Sequence, residues 1–219
     1  MSKTPAQRAR KHGAAAVPMN QATARTPQRA QGNANLILIA ASVATAFLFA
    51  YFHLLTLNQM TQLSGGLAMP DSLYGGFDPA YVESVRHAMN ADALGQLQFV
   101  HKTAGTLFPL IFAFTAMTLV ATQVARKPLR WALWAPPMLF AIVQLWANVA
   151  IDTMLGAATL TEGAVTLASV LVVLSWVLLA LSLAGIVVAL VLGRRRRRPV
   201  RPRPVQPSPV PRTGGDPVQ

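Results

Sequence analysis

Four long apolar segments, joined by short polar stretches and flanked by polar tails, set the pattern of this chain. They cover residues about 36–57, 104–125, 131–151 and 165–193. Each reaches or exceeds the roughly 20 residues that an α-helix needs to cross bilayer hydrocarbon. A lipid-exposed segment must also satisfy its backbone internally, which favours helices. The pattern therefore predicts an all-α membrane protein, a four-transmembrane-helix bundle. The fourth segment exceeds the length needed and must tilt or begin outside the hydrocarbon.

The long connection, residues 58–103, is the one sizeable piece outside the spans. It opens with turn chemistry at Ser64-Gly65-Gly66, Met69-Pro70-Asp71 and Gly75-Gly76-Phe77. Asp78-Pro79 then reads as an N-cap followed by proline at the first helical position. Val82, Val85 and Met89 recur on one helical face. A short extracytoplasmic helix is expected from Pro79 to about Met89, with a break at 90–92. Asp92 is expected to cap a second helix, with Leu94, Leu97 and Phe99 as its apolar positions, running on into span two.

Small residues mark the packing surfaces. Ala168, Ser175, Ser182 and Ala189 fall every seven residues in span four, with Gly185 in the same stripe. That spacing predicts close, shallow-angle helix packing. Span one carries its own patch at Ala40, Ala41, Ser42, Ala44, Thr45 and Ala46. Pro109 is expected to kink span two in its outer half, and Pro136 and Pro137 lie one turn into span three. Trp131 and Trp134 stand where an interfacial aromatic belt belongs.

Charge adds direction. Only 12% of the 219 residues are charged, yet the net charge is +12. Given four spans, every lysine and arginine except Arg86 and Lys102 falls on one side of the membrane, in the two tails and the 126–130 turn. The positive-inside rule then puts both termini in the cytoplasm of a bacterial inner membrane. The first apolar segment follows a 34-residue leader and is too long for a signal-peptide core, so it reads as an uncleaved span. Residues 1–34 form a basic tail expected to be disordered. Residues 194–219 form an Arg/Pro-rich tail of the same kind, extended and polyproline-like.

The basic residues cluster at span ends and do not interleave with aromatics, which points to anionic lipid headgroups and away from nucleic acid. Their expected contacts are Arg126, Lys127, Arg130, Arg194, Arg195, Arg196, Arg197 and Arg198. The absence of cysteine excludes disulfides, thiolate metal sites and cysteine nucleophiles.

Ionisable groups at membrane depth are functional candidates. Five polar residues share the outer level, His53, His101, Lys102, Asn148 and Asp152, and Gln144 extends the face of Asn148 and Asp152 inward as the sixth member of the cluster. One reading is a structural network in which Lys102 pairs with Asp152 and His53 bonds Asn148. A second is a pocket for a ligand or lipid headgroup under the outer loop. A third is haem held by His53 and His101, as in an electron carrier. No mid-membrane carboxylate supports a coupled carrier, and no cofactor or metal is expected.

Several short elements carry a resemblance: Asp71, Gly75-Gly76-Phe77, Val82, Phe108-Pro109-Leu110 and Asn148. In these the chain resembles an uncharacterised family of small bacterial four-span membrane proteins. The likeness covers roughly residues 36–155. It implies the four-span layout and assigns no reaction. Gly105, Gln144 and Ala147 stand where the resemblance implies acidic residues. The expectation from the whole sequence is a structural or accessory membrane protein, not an enzyme, that binds lipid or another membrane protein.

Overall fold

The computed structural model describes residues 27–196, with side chains from 35 to 195. Helix α1 (Pro27–Phe49) passes through a π-helical stretch, Ala50–Thr56, into α2 (Leu57–Leu63). Then follow a 3₁₀ turn (Pro70–Ser72), α3 (Pro79–Ala88), α4 (Ala91–Lys102), α5 (Ala104–Gln123), α6 (Lys127–Gly156) and α7 (Glu162–Arg196). Four helical stretches are long and apolar enough to cross a membrane, namely Asn35–Leu63, Ala91–Gln123, Lys127–Gly156 and Glu162–Arg195. The chain is an all-α, multi-pass bundle.

The helices overrun their apolar segments. The first starts at Pro27, inside the leader expected to be disordered, where proline suits the first helical position. The remainder of that leader and the tail beyond Arg196 lie outside the described residues.

Helices α5, α6 and α7 form the packed centre. The small stripe of α7 is fully inside: Ala168 and Ala189 are 0% exposed, and Ser175, Ser182 and Gly185 are buried with them. Ser175 and Ser182 donate to the carbonyls of Val172 and Leu178 in their own helix, which leaves a smooth surface for α6. A Cβ on Gly185 would meet Leu133 of α6 at 3.4 Å. Close approach of this kind replaces the hydrophobic effect, which lipid-exposed helices cannot use against one another. Phe108, Phe112 and Phe140 interlock beside it, with ring centroids 5.3–6.0 Å apart.

The first span is peripheral. Only 6% of its most apolar window is buried, and it leans on α5 through a Thr45–Thr115 hydroxyl contact of 3.2 Å. Its π-helical stretch adds a residue to the turn, so Leu57 N–H donates to Phe52 O and the Thr56 hydroxyl to Tyr51 O, each five residues back. Such stretches often mark functional positions, and His53 sits in the middle of this one.

The connection from 64 to 90 folds over one end of the bundle, here the loop end. Asp78 accepts from Tyr81 N–H at 2.7 Å and caps α3, and Val82 and Val85 are 0% exposed beneath it. The α3 helix thus forms as expected, but α4 is capped by Asn90, accepting from Ala93 N–H at 2.8 Å, and not by Asp92, which lies in its first turn. An N-cap must precede the first helical residue, and the helix begins one residue before Asp92.

Span two is interrupted at Thr103 (φ −106°, ψ −91°), while α5 runs through Pro109 without a break. Gly76 adopts φ +84°, and a Cβ there would come within 2.7 Å of Ser169 Oγ, the atom that accepts from Phe77 N–H at 2.9 Å. Gly76→Ala is therefore expected to destabilise by about 1–2 kcal/mol from the left-handed backbone alone. Hydrogen exchange at Phe77 checks it: protection equal to the parent's would contradict the assignment.

Candidate functional site

The loop end buries a bridge of three ionisable side chains. Asp71, in the 3₁₀ turn, is 3% exposed and is held in place by Trp176 of α7, whose Nε1–H donates to Asp71 O at 3.0 Å. His101, in the last turn of α4, presents Nε2 to Asp71 Oδ2 at 3.3 Å and Nδ1 to Asp152 Oδ1 of α6 at 2.6 Å. The bridge joins the loop, span two and span three. Ionised carboxylates only accept hydrogen bonds, so an imidazole serving two of them donates from both nitrogens and is the imidazolium. Asp71 Oδ1 is buried with no hydrogen-bond partner.

Burial by itself would push the Asp71 carboxyl up. The charge of His101 and its hydrogen bond, with smaller contributions from His53 and the backbone, outweigh burial and hold Asp71 below the ordinary carboxylate range. A depressed folded-state pKa stabilises fully above the unfolded value of about 3.9 and loses that contribution as pH falls towards the folded pKa. Thermal stability is accordingly expected to fall below about pH 4. Asp71→Asn should remove this part of the acid dependence, and an unchanged acid profile would count against it.

A second polar set lies beside the bridge. Pro109 has no N–H, so the carbonyl of Gly105, four residues before it, loses its helical donor. Asn148 Nδ2 donates to that carbonyl at 2.9 Å, and Gln144 Nε2 donates to Asn148 Oδ1 at 3.1 Å. A Cβ on Gly105 would stand 2.9 Å from Asn148 Nδ2, so glycine is what admits the amide. Gln144 and Asn148 are both buried.

These contacts revise the expected pairings. Asp152 meets His101 and not Lys102, which is exposed and makes no ion pair among the described residues. Asn148 bonds Gly105 and Gln144 and not His53. His53 instead stands among aromatic rings, 4.7–5.6 Å from Phe49, Phe52, Phe108 and Trp176. Five of the six expected cluster residues lie at the interface of spans two and three, and His53 faces span four. Both His101 nitrogens are committed to carboxylates, which leaves no lone pair for iron. Among the described residues no group of three or more metal-ligating side chains is placed to hold a metal ion.

A cavity of about 680 Å³ opens beside the bridge, between spans two and three. Gln98, Lys102, Asn148, Asp152 and Thr153 supply its polar wall, and Leu145 and Val149 its apolar one. Val149 is 63% exposed, so the cavity opens on the flank of the bundle.

The other end carries the basic residues. Arg126, Lys127, Arg194 and Arg195 are exposed, and Arg130 stacks on Trp134 with its guanidinium 5.2 Å from the ring centroid. Arg126 and Arg195 line a cleft of about 330 Å³ with Gln123 and Leu192. The side chain of Arg196, and Arg197 and Arg198 altogether, lie outside the described residues.

Sequence reasoning placed His101, Lys102, Gln144, Asn148 and Asp152 together but missed Asp71, Gly105 and Trp176 as members of the site. Asp71 had a usable signal: it is the one charged residue in the largely apolar run from Leu67 to Tyr74. A carboxylate in a segment that must be buried needs a cationic partner. Compared with known proteins, the chain matches no family model, no curated protein and no solved structure.

Proposed function

We propose that this chain is a non-enzymatic accessory protein of the bacterial cytoplasmic membrane that binds an amphiphile drawn from the bilayer. The carrying observation is the cavity between spans two and three, lined by Lys102 from span two and Asp152 from span three and apolar on its exposed Val149 flank. A headgroup can enter from the side while its chains stay in lipid. The basic end, with Arg126 and Arg195 on a cleft, suits anionic headgroups and belongs in the cytoplasm, with both termini.

The resemblance to the four-span family is part of this proposal. Several of its residues have structural parts: Asp71 enters the bridge, Gly76-Phe77 fasten the loop to Ser169, and Asn148 takes the carbonyl that Pro109 frees. Where the resemblance implies acids, Gly105 and Gln144 give Asn148 neutral hydrogen-bond partners.

Native mass spectrometry of the protein purified in mild detergent tests the reading. The expected result is a retained lipid that is lost when the exposed cavity residue Thr153 is replaced by Trp. No retained lipid, or equal retention by Thr153→Trp, would overturn it. A reporter fused after Gln219 tests the orientation and should lie in the cytoplasm.

A further inference from the structure

We infer that the headgroup taken by the cavity between spans two and three is a zwitterion with a primary ammonium and a phosphate, of the phosphoethanolamine class. The inference deepens the amphiphile-binding reading and rests on it. Its basis is the way charge is distributed around the cavity wall.

One side of the wall is negative. The bridge behind it holds one imidazolium between two carboxylates, a net single negative charge. Asp71 is sealed away at 3% exposure, so Asp152 is the carboxylate of the bridge that a ligand in the cavity can reach. Only Oδ1 of Asp152 meets His101, and the side chain remains 18% exposed on the cavity it lines. Thr153, Gly156 and Ala157 belong to the same wall, at the C-terminal turn of α6. The last carbonyls of a helix lack intrahelical donors and concentrate partial negative charge; Arg86 already donates to the carbonyl of Ala157, so the carbonyls before it are the ones left to a ligand. A cation with N–H donors is thus matched to Asp152 and this turn.

The other side is positive. Lys102 is the one full cation on the lining that is not already held between carboxylates, and it is exposed. Its ammonium, a compact point charge with three donors, suits a phosphate oxygen. Gln98 adds a neutral amide to the wall. An anionic headgroup would satisfy Lys102 but bring a second negative charge to Asp152. A neutral headgroup would leave Lys102 without a counterion and the second oxygen of Asp152 without a cationic donor. A quaternary ammonium would match the charge but offer no N–H to the carboxylate or the carbonyls. The primary-ammonium zwitterion alone complements both sides.

The test is titration of the delipidated full-length protein with single lipids, read by native mass spectrometry. The probes are phosphatidylethanolamine, phosphatidylcholine, phosphatidylglycerol and diacylglycerol. Phosphatidylethanolamine is expected to bind at least about tenfold more tightly than the others, a difference of about 1.4 kcal/mol. Lys102→Gln changes an exposed side chain outside the bridge, and it should remove most of that preference. Asp152→Asn should do the same from the ammonium side.

Equal binding of phosphatidylglycerol or diacylglycerol, or an unchanged preference in Lys102→Gln, would overturn the zwitterion assignment while leaving amphiphile binding intact. Equal binding of phosphatidylcholine would overturn the hydrogen-bonded ammonium. Binding of none of the four would overturn both readings. Competition by glycerophosphoethanolamine at equal concentration would keep the zwitterion but move its source from bilayer to water, which ends the amphiphile reading.

Discussion

His101→Ala is expected to destabilise the bundle by about 3–5 kcal/mol, the range found when one partner is removed from a buried ion pair. The effect is large because the imidazole serves two carboxylates at once, Asp71 at 3.3 Å and Asp152 at 2.6 Å. Without it Asp71, 3% exposed, must either remain ionised without a counter-charge or take up a proton. Asp152 is 18% exposed at its side chain and can turn towards the cavity, so Asp71 carries most of the penalty. The double variant Asp71→Ala/His101→Ala should therefore be less destabilised than the sum of the two single variants, with coupling of about 0.5–3 kcal/mol. Denaturant or thermal unfolding in detergent measures it. A His101→Ala protein within about 0.5 kcal/mol of the parent, the usual range for surface changes, would show that the bridge does not hold the bundle together.

The position of this bridge explains what could and could not be read in the chain. Span number and helix type follow from length and hydropathy, which depend on local composition only. The α7 stripe was legible because a seven-residue repeat of small side chains has one good use in lipid. The Asp78 cap was legible because capping is local. Pairings between spans were not. His101 and Lys102 are adjacent in sequence, and one residue is a rotation of about 100° on a helix, so which of them faces Asp152 depends on the rotation of α4. The break at Thr103 separates that rotation from the periodicity of α5.

Asp71 reaches His101 only because the loop is pinned at Trp176 and Ser169, contacts that span more than ninety residues of sequence. His53 was expected beside Asn148 by depth alone. Its direction is set instead by the π-helical stretch, where the added residue turns the side chain towards Trp176, with ring centroids 5.3 Å apart.

The second large effect is expected at Asn148, and its size should depend on Pro109. Asn148→Leu removes the donor to Gly105 O and the acceptor for Gln144 Nε2 within the buried interface of spans two and three. Each stranded buried polar group costs about 1–3 kcal/mol. Gln144 is 6% exposed and has little room to find water. The carbonyl of Gly105 lacks a helical donor only because residue 109 is proline. Pro109→Ala restores an N–H four residues after Gly105, and that N–H can take the carbonyl over. In the Pro109→Ala background, Asn148→Leu should then lose about 1 kcal/mol of its effect, roughly one hydrogen bond. The part due to Gln144 should persist. Unfolding of the four proteins of this cycle measures the coupling directly. Strict additivity would mean that Asn148 does not replace the hydrogen bond lost at Pro109, and the polar set would then be a consequence of packing, not a device that fixes the register of spans two and three.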